Sequence, residues 1–309
     1  MPTMPSTVLR AIATSASIAA LALALAAPAG AQSAGGRSGG AAPTDGVDVG
    51  ERSRVAQLVP AEQLERSAAR QYDQVLREAA SKHALAPPDH PQLQRLRRIA
   101  QRLIPYAPRF NERAPQWKWE VNLIGSKQIN AFCMPGGKIA FFSGIIDTLK
   151  LTDDEIATVM GHEIAHALRE HGRERAAKST IAQGVTIGAS VLSQLMGYGD
   201  LGGQLASAGA QLTMLSFSRG DETEADIVGM DLAARAGFDP RAGVVLWEKM
   251  SAASKGQPPQ WLSTHPSNAT RITEIRRNLD RTLPLYARAT GRSVDALPPY
   301  LSNFGEPVR

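Results

Sequence analysis

Two segments in the first half of the chain place apolar residues at helical spacing, with Glu, Arg and Gln between them. The apolar positions of the first segment, which follows Pro60, are Leu64, Ala68, Tyr72, Val75 and Leu76. Those of the second are Leu93, Leu96, Ile99, Leu103 and Ile104. This spacing predicts two amphipathic helices, and the pair Pro87 and Pro88 predicts the turn that separates them.

Between Trp117 and Ile146 the apolar pattern changes to one that is typical of strands. The segments WKWEVNLIG (117–125) and KIAFFSGII (138–146) are rich in β-branched and aromatic residues. The segment MPGG (134–137) contains the Pro and Gly of a turn. We therefore expect a small β-sheet in this region.

A helix is predicted to begin after Thr152. Thr152 is followed three residues later by Glu155, which is the pattern of a capping box, in which each side chain bonds the backbone N–H of the other residue. This helix would carry the sequence VMGHEIAHAL, which begins at Val159. The predicted fold is therefore α+β and mainly helical, with a small β-sheet beside this helix.

The sequence predicts two N-terminal segments of different character before the folded domain. Arg10 is followed by an apolar run over 11–27 and then by small residues up to Ala31, which indicates a signal peptide over 1–31. A retained membrane anchor is the alternative, although the run is short for a span of about 20 residues. Residues 32–59 are predicted to be a flexible leader because Gly, Ala and Ser dominate its first half. The folded domain is then expected over 60–280.

Two later segments leave alternatives open. Residues 181–215 are apolar and rich in Gly and Ala, which permits a transmembrane interpretation. Gln183, Gln194, Asp200 and several glycines divide this stretch into pieces too short to span a bilayer, which favours a soluble helical hairpin or a mobile lid. The C-terminal tail over 281–309 contains prolines and scattered apolar residues, so it could pack on the domain or contact a partner.

Composition and charge exclude some classes of function. The chain has 309 residues, of which 43% are hydrophobic and 20% charged, as in a globular protein. The net charge is +5, and the Lys and Arg residues are interspersed with Asp and Glu and form no basic stripe. We therefore expect no nucleic-acid binding. Cys133 is the only cysteine, so an internal disulfide is impossible and stability must come from packing or a metal.

His162, Glu163 and His166 form an HExxH motif on the predicted helix. Residues four apart share a helix face, so both imidazoles could bind one ion with Glu163 beside them. Chance matches to this short pattern are common, and two histidines hydrogen-bonded on a helix face remain the alternative. Arg169 and Gly172 occupy the positions where a metzincin has Gly and His, which excludes that class; His171 is interpreted as a helix-end residue.

A third ligand is available in the segment SRGDETEAD (218–226). Glu222 and Asp226 are four apart, so Glu222 could bind the ion while Asp226 steadies a ligand histidine; Glu224 should face elsewhere. An acidic, solvated helix start explains the same residues. His265, which precedes Pro266, is either a turn residue or a group that stabilises the oxyanion or occupies the open metal position.

These motifs together resemble the zinc metallopeptidase family that includes the CAAX prenyl endopeptidases, the HtpX-like membrane proteases and the periplasmic beta-barrel-assembly-enhancing proteases. The resemblance rests on HEIAH, SRGDETEAD, AGFDP, STHP…RI and NAFCMPGGKIAFFSGII and covers about Leu93 to Asn278. It implies a gluzincin-like domain with one Zn²⁺ bound by His162, His166 and Glu222. It also implies that Glu163 is the catalytic base, that Asp226 occupies the family's acidic position behind the ligands, and that His265 lies near the active site.

The expected function is that of a periplasmic zinc endopeptidase. Its substrates would be unfolded or misassembled cell-envelope proteins, bound as extended chains along a free edge of the strand KIAFFSGI. Peripheral contact with the membrane or with the outer-membrane assembly machinery is also expected. The alternative is a zinc-containing chaperone-like or binding module, in which His265 closes the site as a fourth ligand.

Overall fold

The computed structural model describes residues 45–183, 217–254, 259–265 and 269–309, which belong to one compact unit that begins at Pro43. Its helices are α1 (Ala61–Ser81), α2 (Pro91–Leu103), α3 (Ser143–Leu149), α4 (Asp153–Leu168), α5 (His171–Gln183), α6 (Arg219–Arg235), α7 (Ala242–Ala253), α8 (Gln260–Thr264) and α9 (Ala269–Ala289). The strands are β1 (Glu120–Ile124), β2 (Ala131–Met134) and β3 (Lys138–Phe142). Short 3-10 helices occupy Arg54–Leu58, Ile104–Arg109, Ala114–Gln116 and Val294–Ala296. The mainly helical α+β prediction is confirmed.

The predicted helices form where their patterns indicated. α1 and α2 bury the apolar faces read from the sequence, and α4 begins directly after Thr152. The Thr152 hydroxyl accepts a hydrogen bond from the Glu155 backbone N–H at 3.3 Å, and the Glu155 carboxylate accepts one from the Thr152 N–H at 2.9 Å. The capping box thus satisfies two backbone donors at the start of the helix that carries HExxH.

The three strands pair in the order β1-β3-β2, with β1 parallel and β2 antiparallel to β3. The MPGG turn joins β2 to β3, and the Ser143–Ile146 part of the predicted second strand is instead the start of α3. Since β3 lies between the other two strands, the expected free edge of KIAFFSGI is wrong. β2 is the edge strand on that side of β3.

The sheet is covered on both faces because side chains alternate along β3. Ile139 and Phe141 pack in the main core with α4, whereas Ala140 and Phe142 pack in a second cluster with Tyr72 of α1. All five residues of β3 are buried, as expected for a strand with both faces covered. This arrangement holds α4 against the sheet.

α4 crosses α6 at a contact between two glycines. A Cβ atom on Gly161 would lie 2.8 Å from the Gly229 carbonyl oxygen, and one on Gly229 would lie 2.7 Å from the backbone nitrogen of His162. Real Cβ atoms essentially never approach other atoms so closely. The two backbones therefore lie in direct contact, immediately next to the HExxH motif.

The segments outside the predicted 60–280 domain are partly packed against it. In the 32–59 leader, Val47 is buried and donates its N–H to Asp231 at 3.0 Å. Helix α9 continues to Ala289, and in the tail the buried Tyr300 and Val308 pair as a β-bridge. The buried Tyr300 and Val308 agree with the alternative in which the tail packs on the domain, whereas the burial of Val47 was not expected of a flexible leader.

The predicted signal peptide and most of the predicted hairpin or lid over 181–215 lie outside the described residues. Residues 181–183 form the end of α5. Among the helices that are described, none combines the length and the apolar character that crossing a membrane requires.

We predict that Gly229→Ala destabilises the protein because the new methyl group overlaps the His162 backbone. The free energy of unfolding, measured by urea denaturation, should fall by about 1–3 kcal/mol, as for other overpacked cores. Gly243→Ala in α7 is the matched control, since the atoms nearest to its Cβ would be side-chain atoms of Ile275 and Thr158 at 3.5 Å or more. A Gly229→Ala variant as stable as Gly243→Ala would contradict the close crossing.

Candidate metal centre

Four side chains from three parts of the chain bring potential ligand atoms together in the interior. They are His162 and His166 of α4, Glu222 of α6, and His265, which directly follows α8. The His162 and His166 Nε2 atoms lie 3.1 Å apart, and the His265 Nδ1 atom lies 3.3 Å from His162 Nε2 and 3.0 Å from Glu222 Oε1. All four side chains are buried. We call these four residues the donor group.

The donor group fits a small divalent cation in chemistry and in size. Imidazole nitrogen and carboxylate oxygen are zinc ligands, and a tetrahedral ion with bonds of about 2.0–2.1 Å separates its ligand atoms by roughly 3.3 Å. The Glu222 oxygens lie 3.7 Å from His162 Nε2 and 3.5 Å from His166 Nε2. The observed separations therefore bracket the tetrahedral value.

Asp226 lies behind His162, one helical turn from Glu222. Its Oδ1 atom is 3.0 Å from His162 Nδ1, so an N–H at Nδ1 can donate to it and leave the Nε2 lone pair facing the donor group. Burial raises the pKa of Asp226, but the Arg271 guanidinium and the His162 hydrogen bond outweigh burial and lower it to about 2. Asp226 is therefore an anion that fixes the orientation of His162.

Arg271 of α9 binds two acidic residues of α6, Glu222 and Asp226. Its guanidinium donates to Asp226 Oδ2 and Oδ1 at 2.6 and 2.5 Å and to Glu222 Oε2 at 2.5 Å, and its carbon lies 3.7 Å above the Trp247 ring. Sequence reasoning missed this residue. The only signal was the Arg six positions after His265, in the segment STHP…RI.

Glu163 lies beside the donor group but is not part of it. Its Oε1 atom accepts a 2.6 Å hydrogen bond from Trp261 Nε1 and lies 3.5 Å from His265 Nε2. Trp261 was also missed; it lies four residues before His265, whose backbone N–H bonds the Trp261 carbonyl at 2.8 Å. α8 thus contacts both the ligand set and the acid of the HExxH motif.

The pKa values in the donor group are shifted in different directions at His166 and at the pair His265 and Glu222. Burial lowers the pKa of His166 well below its ordinary value, which favours the neutral imidazole that metal binding requires. Burial also opposes charge on His265, but the carboxylates of Glu163 and Glu222 outweigh it and raise the His265 pKa. For Glu222, His265, His162 and Arg271 outweigh burial and lower the pKa. The part of the site around Glu222 and His265 therefore attracts positive charge, whether as a proton or as a metal ion.

The remaining candidate residues lie around the donor group. His171 is the first residue of α5, and Glu224 lies outside the donor group. The Phe217 ring stacks on His166 with a centroid separation of 3.9 Å, and its N–H bonds the Thr264 carbonyl at 3.1 Å. Phe217 thereby ties the start of the α6 segment to α8.

Comparison with known sequences identifies relatives. The family described as Peptidase family M48 matches residues 91–279. Mitochondrial metalloendopeptidase OMA1 of Schizosaccharomyces pombe is 38% identical over 161 residues, 51% of this chain and 46% of the relative. The Arabidopsis thaliana protein of that name is 37% identical over 155 residues, 50% and 30% of the two chains. Beta-barrel assembly-enhancing protease of Yersinia pestis is 32% identical over 173 residues, 52% and 35%. The matches span less than half of each of these relatives.

We predict that Arg271→Met destabilises the fold, because Asp226 and Glu222 would then face each other without their cationic partner. Breaking a buried ion pair on one side costs about 3–5 kcal/mol, which urea denaturation would measure. Arg276→Met on the same helix is the control: its side chain is 51% exposed and lies 4.0 Å from Glu248, so the change should stay within about 0.5 kcal/mol. Equal losses of unfolding free energy in the two variants would contradict the stabilising role of the Arg271 contacts with Glu222 and Asp226.

Proposed function

The chain belongs to peptidase family M48, and from that premise we propose that it is a zinc-dependent endopeptidase. In this proposal His162, His166 and Glu222 hold one Zn²⁺, and Glu163 is the general base. The observation that carries it is the convergence of two imidazoles and a carboxylate, distant in sequence, at one buried point. An HExxH helix that meets a glutamate from a second helix supplies the three protein ligands of a catalytic zinc site.

The side chains around the proposed zinc have distinct tasks. When bound, zinc supplies a Lewis acid that polarises the scissile carbonyl and lowers the pKa of water toward neutrality. Glu163 takes the proton of the attacking water and passes it to the leaving amine. Trp261 orients the Glu163 carboxylate through its 2.6 Å hydrogen bond, and Asp226 keeps His162 in the tautomer that offers Nε2.

The proposed substrates are unfolded or misassembled proteins of the cell envelope. An extended chain would pair with the edge strand β2, whose backbone contacts give affinity with little sequence preference. The name of the Yersinia pestis relative, beta-barrel assembly-enhancing protease, supports an envelope substrate and contact with the outer-membrane assembly machinery. The signal-peptide pattern over 1–31 supports a periplasmic location, with the catalytic domain over 60–280.

We predict that Glu163→Gln lowers cleavage of an unfolded substrate such as casein by about 10²–10⁴-fold, because the amide cannot accept the water's proton. The zinc content, measured by atomic emission, should remain about one per chain. Asp153→Asn, which also replaces a carboxylate with an amide but at an exposed position of α4, is the control and should leave the rate unchanged. A Glu163→Gln variant that holds zinc and cleaves at the wild-type rate would refute the role of Glu163.

A second candidate function follows from His265, which we propose as a fourth ligand in a closed, latent site. Its Nδ1 atom lies 3.3 Å from His162 Nε2 and 3.0 Å from Glu222 Oε1, and a structural zinc site has four protein ligands. In the extreme form of this alternative, the protein is a chaperone-like or binding module. It would then stay inert toward every unfolded substrate, and Glu163→Gln would retain full cellular function.

We predict that His265→Ala raises the rate of casein cleavage, because it frees the coordination position that water needs. Zinc content should be measured in the same samples, since loss of a ligand also weakens binding. A fall in rate with zinc still bound would instead assign His265 to the reaction, as the group that stabilises the oxyanion. No cleavage by either wild type or His265→Ala would favour the binding module.

A further inference from the structure

His166 is held from behind by a second histidine. The ring nitrogen of His166 that faces away from the donor group, Nδ1, lies 2.9 Å from Nδ1 of His171. The other ring nitrogen of His171, Nε2, lies 2.8 Å from Glu224 Oε2. Arg169 donates from Nε to the second oxygen of Glu224 at 2.6 Å. His171 and Arg169 are buried, so these contacts lie in the interior.

The hydrogen-bond pattern permits one set of tautomers if His166 binds a metal through Nε2. A neutral imidazole that offers its Nε2 lone pair carries its proton on Nδ1, so His166 must donate from Nδ1. His171 Nδ1 must then accept, which places the His171 proton on Nε2. That proton points at Oε2 of Glu224, 2.8 Å from His171 Nε2. In this arrangement His166 Nδ1, both ring nitrogens of His171 and both carboxylate oxygens of Glu224 have a donor or acceptor of the matching kind.

The turn between α4 and α5 brings His171 back onto the His166 side chain. α4 ends at Leu168, and Glu170 adopts the left-handed conformation with φ of 60°, which is unfavourable for a residue other than Gly. The Glu170 carboxylate is fixed by Arg173 at 2.8 and 3.0 Å. α5 can therefore begin at His171, only five residues after His166, with its ring against that of the ligand.

We propose that His171 is a positioning residue that orients His166 for metal binding, and that Glu224 and Arg169 fix the tautomer of His171. The proposal rests on the proposed function, in which His166 is a ligand. His162 is hydrogen-bonded directly to the carboxylate of Asp226. His166 is connected to the carboxylate of Glu224 only through the imidazole of His171. The loss of such outer partners typically weakens metal binding by about 10–100-fold.

The test compares His171→Phe with His171→Asn. Phe keeps a planar ring but removes the acceptor, whereas the Asn carbonyl oxygen can occupy the position of His171 Nδ1. The Zn²⁺ dissociation constant, measured by competition with a chromophoric chelator, should rise by about 10–100-fold in His171→Phe. In His171→Asn the dissociation constant should stay within about threefold of the wild-type value. His83→Phe, which changes an exposed histidine outside the donor group, should leave the constant unchanged.

The Co²⁺ absorption spectrum gives a second readout, independent of activity, because it reports ligand geometry. It should shift in His171→Phe and stay at the wild-type positions in His171→Asn and His83→Phe. Unchanged zinc affinity and an unchanged spectrum in His171→Phe would overturn the proposal while leaving the peptidase assignment intact. Wild-type protein that binds no zinc would instead refute the proposed function itself.

The tautomer of His171 can also be read in the zinc-loaded wild type, so the test does not depend on whether a variant folds. Two-bond ¹⁵N–¹H couplings of the imidazoles should show His171 protonated at Nε2 and unprotonated at Nδ1, with His166 protonated at Nδ1. A His171 ring protonated at Nδ1 could not accept from His166. That result would overturn the proposal even if every variant were unstable.

Discussion

The close crossing of α4 and α6 is the constraint on which the centre depends. Gly161 and Gly229 remove the two Cβ atoms that would hold the helices apart, so backbone meets backbone next to His162. Glu222 lies seven residues before Gly229, two turns along the same helix, and it faces the imidazoles of the HExxH motif. The Glu222 side chain is short, so a wider separation of α4 and α6 would leave its carboxylate without contact with the imidazoles.

Burial of this many ionisable groups requires compensation, because an isolated charge is strongly disfavoured in the interior. Arg271 neutralises Glu222 and Asp226 of α6, and its guanidinium lies on the Trp247 ring. Trp247 in turn stacks on Trp261, whose indole N–H binds Glu163. One continuous set of contacts therefore fixes both the carboxylate side of the donor group and the acid of the HExxH motif.

The two histidines of the motif are supported in different ways, although they lie on one helix. His162 donates to the carboxylate of Asp226, which the spacing of Glu222 and Asp226 on α6 already indicated. His166 contacts a second imidazole, which the turn at Glu170 returns to the same face. The position of His171 at a helix end was foreseeable from the sequence; its contact with His166 depends on a backbone conformation that side-chain spacing does not report.

The sequence by itself determined what local periodicity and spacing control. The faces of α1 and α2, the capping box at Thr152, the shared face of His162 and His166, and the pairing of Glu222 with Asp226 all follow from 3.6 residues per turn. Tertiary structure alone decided that β3 is central, that α8 covers Glu163 and that Arg271 reaches both acids. These contacts join residues up to about a hundred positions apart. Their partners depend on which elements pack together, and no local pattern encodes that choice.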